Sequence, residues 1–159
     1  MTAMPDPAAV QTLIDEAAIA KLQNRYMFAI DWRDGDVMSS LFVEDCVLAW
    51  PEGHAEGRER IRAMFSPNPN FPLTGFVRHV VANQVIEVTG DTARARAYWW
   101  DFDKKVGAGE DGKDLAYVLA YGHYEDELVR TADGWRFRKR TVFNQSNPGA
   151  DPPRSNPCW

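Results

Sequence analysis

Cysteine, histidine and positive charge are all scarce in this chain of 159 residues: two Cys, three His, and 18 Lys and Arg against 23 Asp and Glu, for a formal charge of −5. Cys46, in a strand-like run, and Cys158, near the end, make neither a disulfide framework nor a zinc ligand set. The acidic balance argues against nucleic acid or an anionic membrane as the main partner, because both need a basic footprint. No apolar run approaches the roughly 18 residues of a spanning helix. The opening MTAMPDPAAV has no basic region followed by a hydrophobic one, so the expected location is cytoplasmic. There is no glycine-rich phosphate loop, CxxC, HExxH or GxSxG, and Asp111-Gly112 and Asp133-Gly134 read as turns rather than calcium loops. The expectation is a protein that uses no metal and no cofactor.

What the chain does have is apolar and aromatic material: 45% hydrophobic residues, with six Trp, eight Phe and five Tyr. That is enough for a real core in one domain. No repeat or linker divides it. The expectation is a single domain over residues 1–159, with a core at about 8–144 and a proline-rich tail at 145–159. Over residues 8–32, Ile14, Ala18, Leu22, Tyr26 and Ala29, with Leu13, Ile19 and Ile30 beside them, keep helical spacing. Asp15 and Glu16 lie near the start, where they suit the helix dipole. Asp34 or Asp36 can cap a short second helix at 37–42. Residues 46–50 read as a strand broken by Pro51-Glu52-Gly53, with His54 in a solvated loop. Residues 57–65 read as a short amphipathic helix, and 66–74 as a loop over a pocket. Long strands follow at 75–88, 93–106, 115–129 and 134–144, joined by tight turns and by a glycine-rich loop at 107–113. Helices before strands indicate α+β, with helices packed on one face of a curved antiparallel sheet and a small-molecule pocket between them.

The stretch TGFVRHVVAN, residues 74–83, places the histidine most open to chemical use. On strict alternation His79 shares a face with Val77, Val81, Asn83 and Val85. A titratable ring on an apolar face is either a general base or a core histidine with a satisfied ring. Asp31 is either a helix-end residue or its carboxylate partner. Asp101, in YWWDFD, is either a strand-end charge or an inward acid with a raised pKa. His123, in YGHYED, faces the pocket or the opposite side, depending on whether Gly122 marks a bulge.

The order of elements resembles the SnoaL-like branch of the nuclear transport factor 2-like superfamily. The resemblance is carried by Arg25-Tyr26…Asp31…Asp34-Gly35-Asp36…Leu41-Phe42…Asp45, by Gly57-Arg58…Ile61, and by His79…Asn83…Gly90-Asp91-Thr92-Ala93. Tyr124…Asp126…Arg130…Asp133-Gly134-Trp135-Arg136-Phe137 and Arg140 complete it, so that it covers roughly residues 18–142. It implies a cone-shaped, cystatin-like sheet with N-terminal helices over its concave face. Dehydratases of that superfamily, of the scytalone and bile-acid types, carry an Asp at the end of helix one and a His on the strand after the third helix. Asp31 and His79 stand at the matching positions. A second histidine on the next strand is missing here; Ala97, Trp99 and Asp101 occupy that face.

The resemblance and the residues together imply a cofactor-independent lyase or isomerase acting on a small aromatic or polycyclic substrate. His79 and Asp31 would move the proton, with Tyr26 as a possible phenol donor, and Asn83, Trp50, Phe65, Phe76, Trp99, Asp101 and His123 would bind substrate. The alternatives are a non-redox β-type small subunit of a ring-hydroxylating dioxygenase and a ligand-binding module without turnover. Tyr98 and Trp100 alternate with Arg94 and Arg96 on the other sheet face, which implies a homodimer through that face.

Overall fold

A computed structural model describes residues 4–68 and 77–147. Phe76, Cys158 and the tail beyond residue 147 lie outside the described residues. Helix α1 (Pro7–Asp31) starts where Asp6 accepts a hydrogen bond from the Ala8 amide and Pro7 takes the first helical position, whose N–H would be unpaired in any case. Its buried stripe is Asp15, Ile19, Leu22, Gln23, Tyr26, Met27 and Ala29. Leu13 and Ile14, expected to face the core, are 65% and 55% exposed because the first two turns reach beyond the sheet. Asp15 serves no helix dipole either. It lies more than two turns in and takes a bidentate pair of bonds from Arg130 (2.6 and 2.7 Å) and one from the Trp135 indole (3.1 Å). The Arg130 guanidinium holds this carboxyl well below the usual carboxylate range.

Asp34 caps α2 (Gly35–Ser40) through the Val37 amide at 2.9 Å. This helix starts and ends two residues before the expected 37–42, since Phe42 already belongs to strand β1 (Phe42–Trp50). Gly35 is required by packing: a Cβ there would lie 2.5 Å from the Arg62 carbonyl of α3 (Arg58–Phe65). Residues expected in a loop form a short strand β2 (Gly53–Glu56), paired antiparallel to β1, and His54 sits in it with its side chain 61% exposed.

The remaining strands are β3 (Arg78–Thr89), β4 (Thr92–Lys105), β5 (Leu115–Thr131) and β6 (Gly134–Asn144), and they build one curved, unclosed sheet in the order β2-β1-β6-β5-β4-β3. The sheet is not wholly antiparallel, because β1 runs parallel to β6. The loop expected between β4 and β5 contains a single 3-10 turn, Glu110–Gly112.

Alternation decides what the sheet shows to the helices. Ala93, Ala95, Ala97 and Trp99 of β4 are buried on the helix side with Tyr124 and Leu128 of β5 and Trp135 and Phe137 of β6. Three small alanines on β4 leave room for the aromatic rings beside them. Gly122 has no room for a side chain, since a Cβ would meet the Phe143 carbonyl and lie 3.0 Å from Trp99 Cζ2.

Candidate active site

Two carboxylates hold one imidazole between α1 and the sheet. Asp31 is the last residue of α1, where Arg33 at φ 51° and the N-capped α2 turn the chain away. A carboxylate at a helix C-terminus is opposed by the helix dipole, and Asp31 is also nearly buried, with 6% of its side chain exposed. Its compensation is His79: Oδ1 accepts from the His79 backbone N–H at 3.0 Å and lies 2.8 Å from Nδ1. That geometry assigns the Nδ1–H tautomer and leaves Nε2 as the basic face of the ring.

Asp101 stands opposite His79 in the β3–β4 register, and its Oδ1 is 3.1 Å from His79 Nε2. The approach has ion-pair distance but not hydrogen-bond alignment, so Oδ1 has no hydrogen-bond partner among the described residues. Burial pushes the Asp101 carboxyl up to about 6; the nearby His79 charge opposes that rise and the Asp31 charge adds to it. A group in that range takes up and releases a proton near neutrality.

The stability consequence has a definite sign. Asp101 binds its proton more tightly folded than unfolded, so stabilisation present below its ordinary pKa near 4 is lost as pH rises through about 6. The loss is about 3 kcal/mol at most. Unfolding of wild type and Asp101→Asn in urea should show the variant gaining about 2 kcal/mol on wild type between pH 4.5 and 7.5, since the unfolded carboxyl is already largely ionised at the lower pH. Parallel pH slopes in the two proteins would mean that Asp101 titrates as an ordinary surface acid.

The other expected site residues are distributed differently. Trp99 is on the helix side of the sheet, one residue pair along β4 from Asp101, and stacks on Tyr124 with centroids 5.8 Å apart. Tyr26 is a core ring, 2% exposed, packed against Phe42, Phe65, Tyr124 and Phe137, and burial pushes its phenol up to about 12. Phe65 joins that ring cluster from α3, half-buried. Trp50 packs against the edge of the core at the end of β1, four strands along the sheet from β3.

Two expected contacts are corrected. Asn83 takes φ 53° in a bulge between Ala82 and Val85, is exposed, and breaks the alternation, so that Val85 pairs with Arg96 while Ile86 returns to the core side opposite Ala95. His123 faces away from His79: it pairs with Tyr98 and stacks on Phe143 at 4.4 Å with 2° between planes. Burial lowers its pKa. That outer face carries Val80, Trp100 and Tyr121 in one row and Tyr98, His123 and Phe143 in the next, several of them exposed.

One buried network has no place among the residues singled out for chemistry. Arg140, fully buried, makes two 2.7 Å bonds to Asp126, and Gln23 adds a third at 2.8 Å. The guanidinium lies 4.1–4.2 Å from the ring centroids of Tyr26, Tyr124 and Phe137. The alternation of β5 and β6 places both charges on the helix side, a signal present in the sequence. Elsewhere, a cavity of about 260 Å³ is lined by Glu87, Arg94, Glu127 and Arg138, eight residues beyond His79 on β3. Its lining holds a Glu87–Arg94 ion pair and no histidine.

Residues 11–141 match the model of the SnoaL-like domain. The chain belongs to that family. An uncharacterized protein of Mycobacterium tuberculosis is 34% identical over 135 residues, covering 82% of this chain and 86% of its own length. An NTF2-like protein with a cystatin-like fold from Novosphingobium aromaticivorans superposes with a TM-score of 0.77 at 25% identity, over 93% of this chain and 96% of that one. A protein of the same organism, provisionally assigned as a scytalone dehydratase, gives a TM-score of 0.67 at 22% identity over 86% and 88% of the two chains, and at that identity shows the fold alone. The α+β, NTF2-like architecture expected from the sequence is thereby shown.

Proposed function

We propose that this SnoaL-like protein is a cofactor-independent lyase or isomerase for a small hydrophobic aromatic or polycyclic substrate. The observation that carries the reading is His79 held between Asp31 at 2.8 Å and Asp101 at 3.1 Å, where α1 ends against β3 and β4. In an elimination, His79 Nε2 takes a proton from carbon while Asp31 stabilises the imidazolium. The C–H electron pair becomes the new double bond as the neighbouring C–O bond breaks. Protonated Asp101 gives its proton to the departing hydroxyl, which leaves as water. The two groups then hold the opposite protonation states, and the 3.1 Å gap between them returns the proton from His79 to Asp101. Isomerisation uses the same pair, with the proton delivered to another carbon instead. Tyr26, packed on the Arg140 guanidinium, contributes packing rather than proton transfer in this scheme.

The test is a turnover screen of phenolic and polycyclic alcohols with no added metal or cofactor, run with wild type beside His79→Ala. Product from wild type alone supports the assignment. Binding without product in either protein would replace it with a ligand-binding module.

The exposed outer face favours a partner. Rows of Val80, Tyr98, Tyr121 and Phe143 suit a second copy of this chain. The competing reading of the same face is a larger oxygenase subunit for which this chain is a non-redox β-type partner. Light scattering of the purified protein at micromolar concentration should give twice the 18.0 kDa chain mass. A monomeric mass would withdraw the homodimer and favour the subunit reading.

A further inference from the structure

Trp99 keeps a polar atom where its environment needs none. The ring is 4% exposed, stacked on Tyr124, opposite Val81 on one side and side-chain-free Gly122 on the other. Its indole Nε1 is covered and has no hydrogen-bond partner among the described residues. An indole N–H is a donor only, so its orientation leaves no ambiguity of the kind an amide carries. Burying such a donor unpaired is unfavourable, a cost that a purely hydrocarbon side chain would not carry.

The position gives the donor a use. Trp99 and Asp101 project from the same side of β4, and their partners Val81 and His79 project from the same side of β3, so the two residues of β4 stand one repeat, roughly 7 Å between Cα atoms, apart on the face that carries the acid–base pair. We infer that the Trp99 indole N–H is a substrate-orienting donor that binds a neutral carbonyl oxygen of the ligand processed at His79 and Asp101. This rests on the proposed proton-transfer site and adds the polar group that its substrate must carry. The ligand atom must be an acceptor, because the indole only donates. It must be uncharged, because Asp31 and Asp101 already place two acids around one imidazole, and an anionic carboxylate or phenolate would be repelled. A carbonyl also suits the chemistry: when a base lifts a proton from the adjacent carbon, charge accumulates on that oxygen, and a fixed donor holds it.

The experiment compares 2-tetralone with tetralin, the same carbon skeleton without the oxygen, in the wild type and in Trp99→Phe. Wild type should bind the ketone about five- to tenfold more tightly than the hydrocarbon. Trp99→Phe should bind the two alike, with the hydrocarbon's affinity unchanged. In a nitrogen–proton correlation spectrum of wild type, one indole N–H signal, the one missing from the variant, should move downfield with the ketone and stay in place with tetralin. The shift itself is read on the wild type; a folded variant serves only to assign the signal to Trp99. Equal loss of both ligands in the variant, a stationary indole signal, or no preference for the ketone in wild type would each overturn the assignment. None of these readouts needs turnover: His79→Ala should keep both the preference and the shifted signal, so failure of the proton-transfer reading remains distinguishable.

Discussion

Turnover of whatever substrate the wild type accepts should fall by about 10³-fold or more in His79→Ala, with the circular dichroism spectrum of the folded protein retained. A positioned general base contributes about 10²–10⁴, and here the same ring is also the hydrogen-bond partner of the nearly buried Asp31. Asp31→Asn gives a sharper reading of the same machinery. An amide in place of the carboxylate can keep a hydrogen bond to the ring, but it can no longer stabilise the imidazolium and can offer the wrong partner to Nδ1. The expected loss is again about 10²–10⁴-fold, in kcat rather than KM, since Asp31 touches the histidine and not the substrate. Wild-type kcat in His79→Ala would end the assignment of His79 as the base. Wild-type kcat in Asp31→Asn with a dead His79→Ala would leave the base and remove the orienting role.

Much of this site was legible in the sequence because strand alternation is a strong constraint. The alanine and tryptophan positions of β4 fall on one face at period two, and the structure buries Ala93, Ala95, Ala97 and Trp99 as that period requires. Asp101 therefore lies on the same side as His79 once the two strands pair. The misreadings arise where alternation is broken or undecidable. Asn83 occupies a left-handed bulge, and nothing in QVIEVT marks an extra residue, so strict alternation puts Val85 on the wrong face. His123 follows Gly122, and the choice of face depended on whether that glycine was a bulge. It is not one; its lack of a side chain answers instead to the Phe143 carbonyl and Trp99. The N-terminal turns of α1 failed for another reason: a helical period shows which residues share a face, but not how far the sheet beneath them extends. Strand β2 escaped notice because four residues after Pro-Glu-Gly carry too little pattern to separate from a loop.

Asp126→Ala should be the most damaging single substitution outside the catalytic group. Arg140 is entirely covered, and its charge is balanced by Asp126 through two hydrogen bonds, with three aromatic rings around the guanidinium. Removing the carboxylate strands a buried cation and also releases Gln23, whose amide donates to the same group at 2.8 Å. Breaking a buried pair in this way costs about 3–5 kcal/mol, a large part of the roughly 5–15 kcal/mol that holds a domain folded. At about 2–4 °C per kcal/mol for a chain of this size, the midpoint of thermal unfolding should drop by about 10 °C or more. The double variant Asp126→Leu/Arg140→Met removes both charges and should recover much of that loss, because an apolar pair in the same space carries no desolvation cost. Recovery would show that the network contributes through charge balance rather than shape. A single-variant loss under about 1 kcal/mol would mean that water reaches Arg140 once Asp126 is gone. A double variant as unstable as the single one would instead make the three aromatic contacts to the guanidinium the dominant interaction.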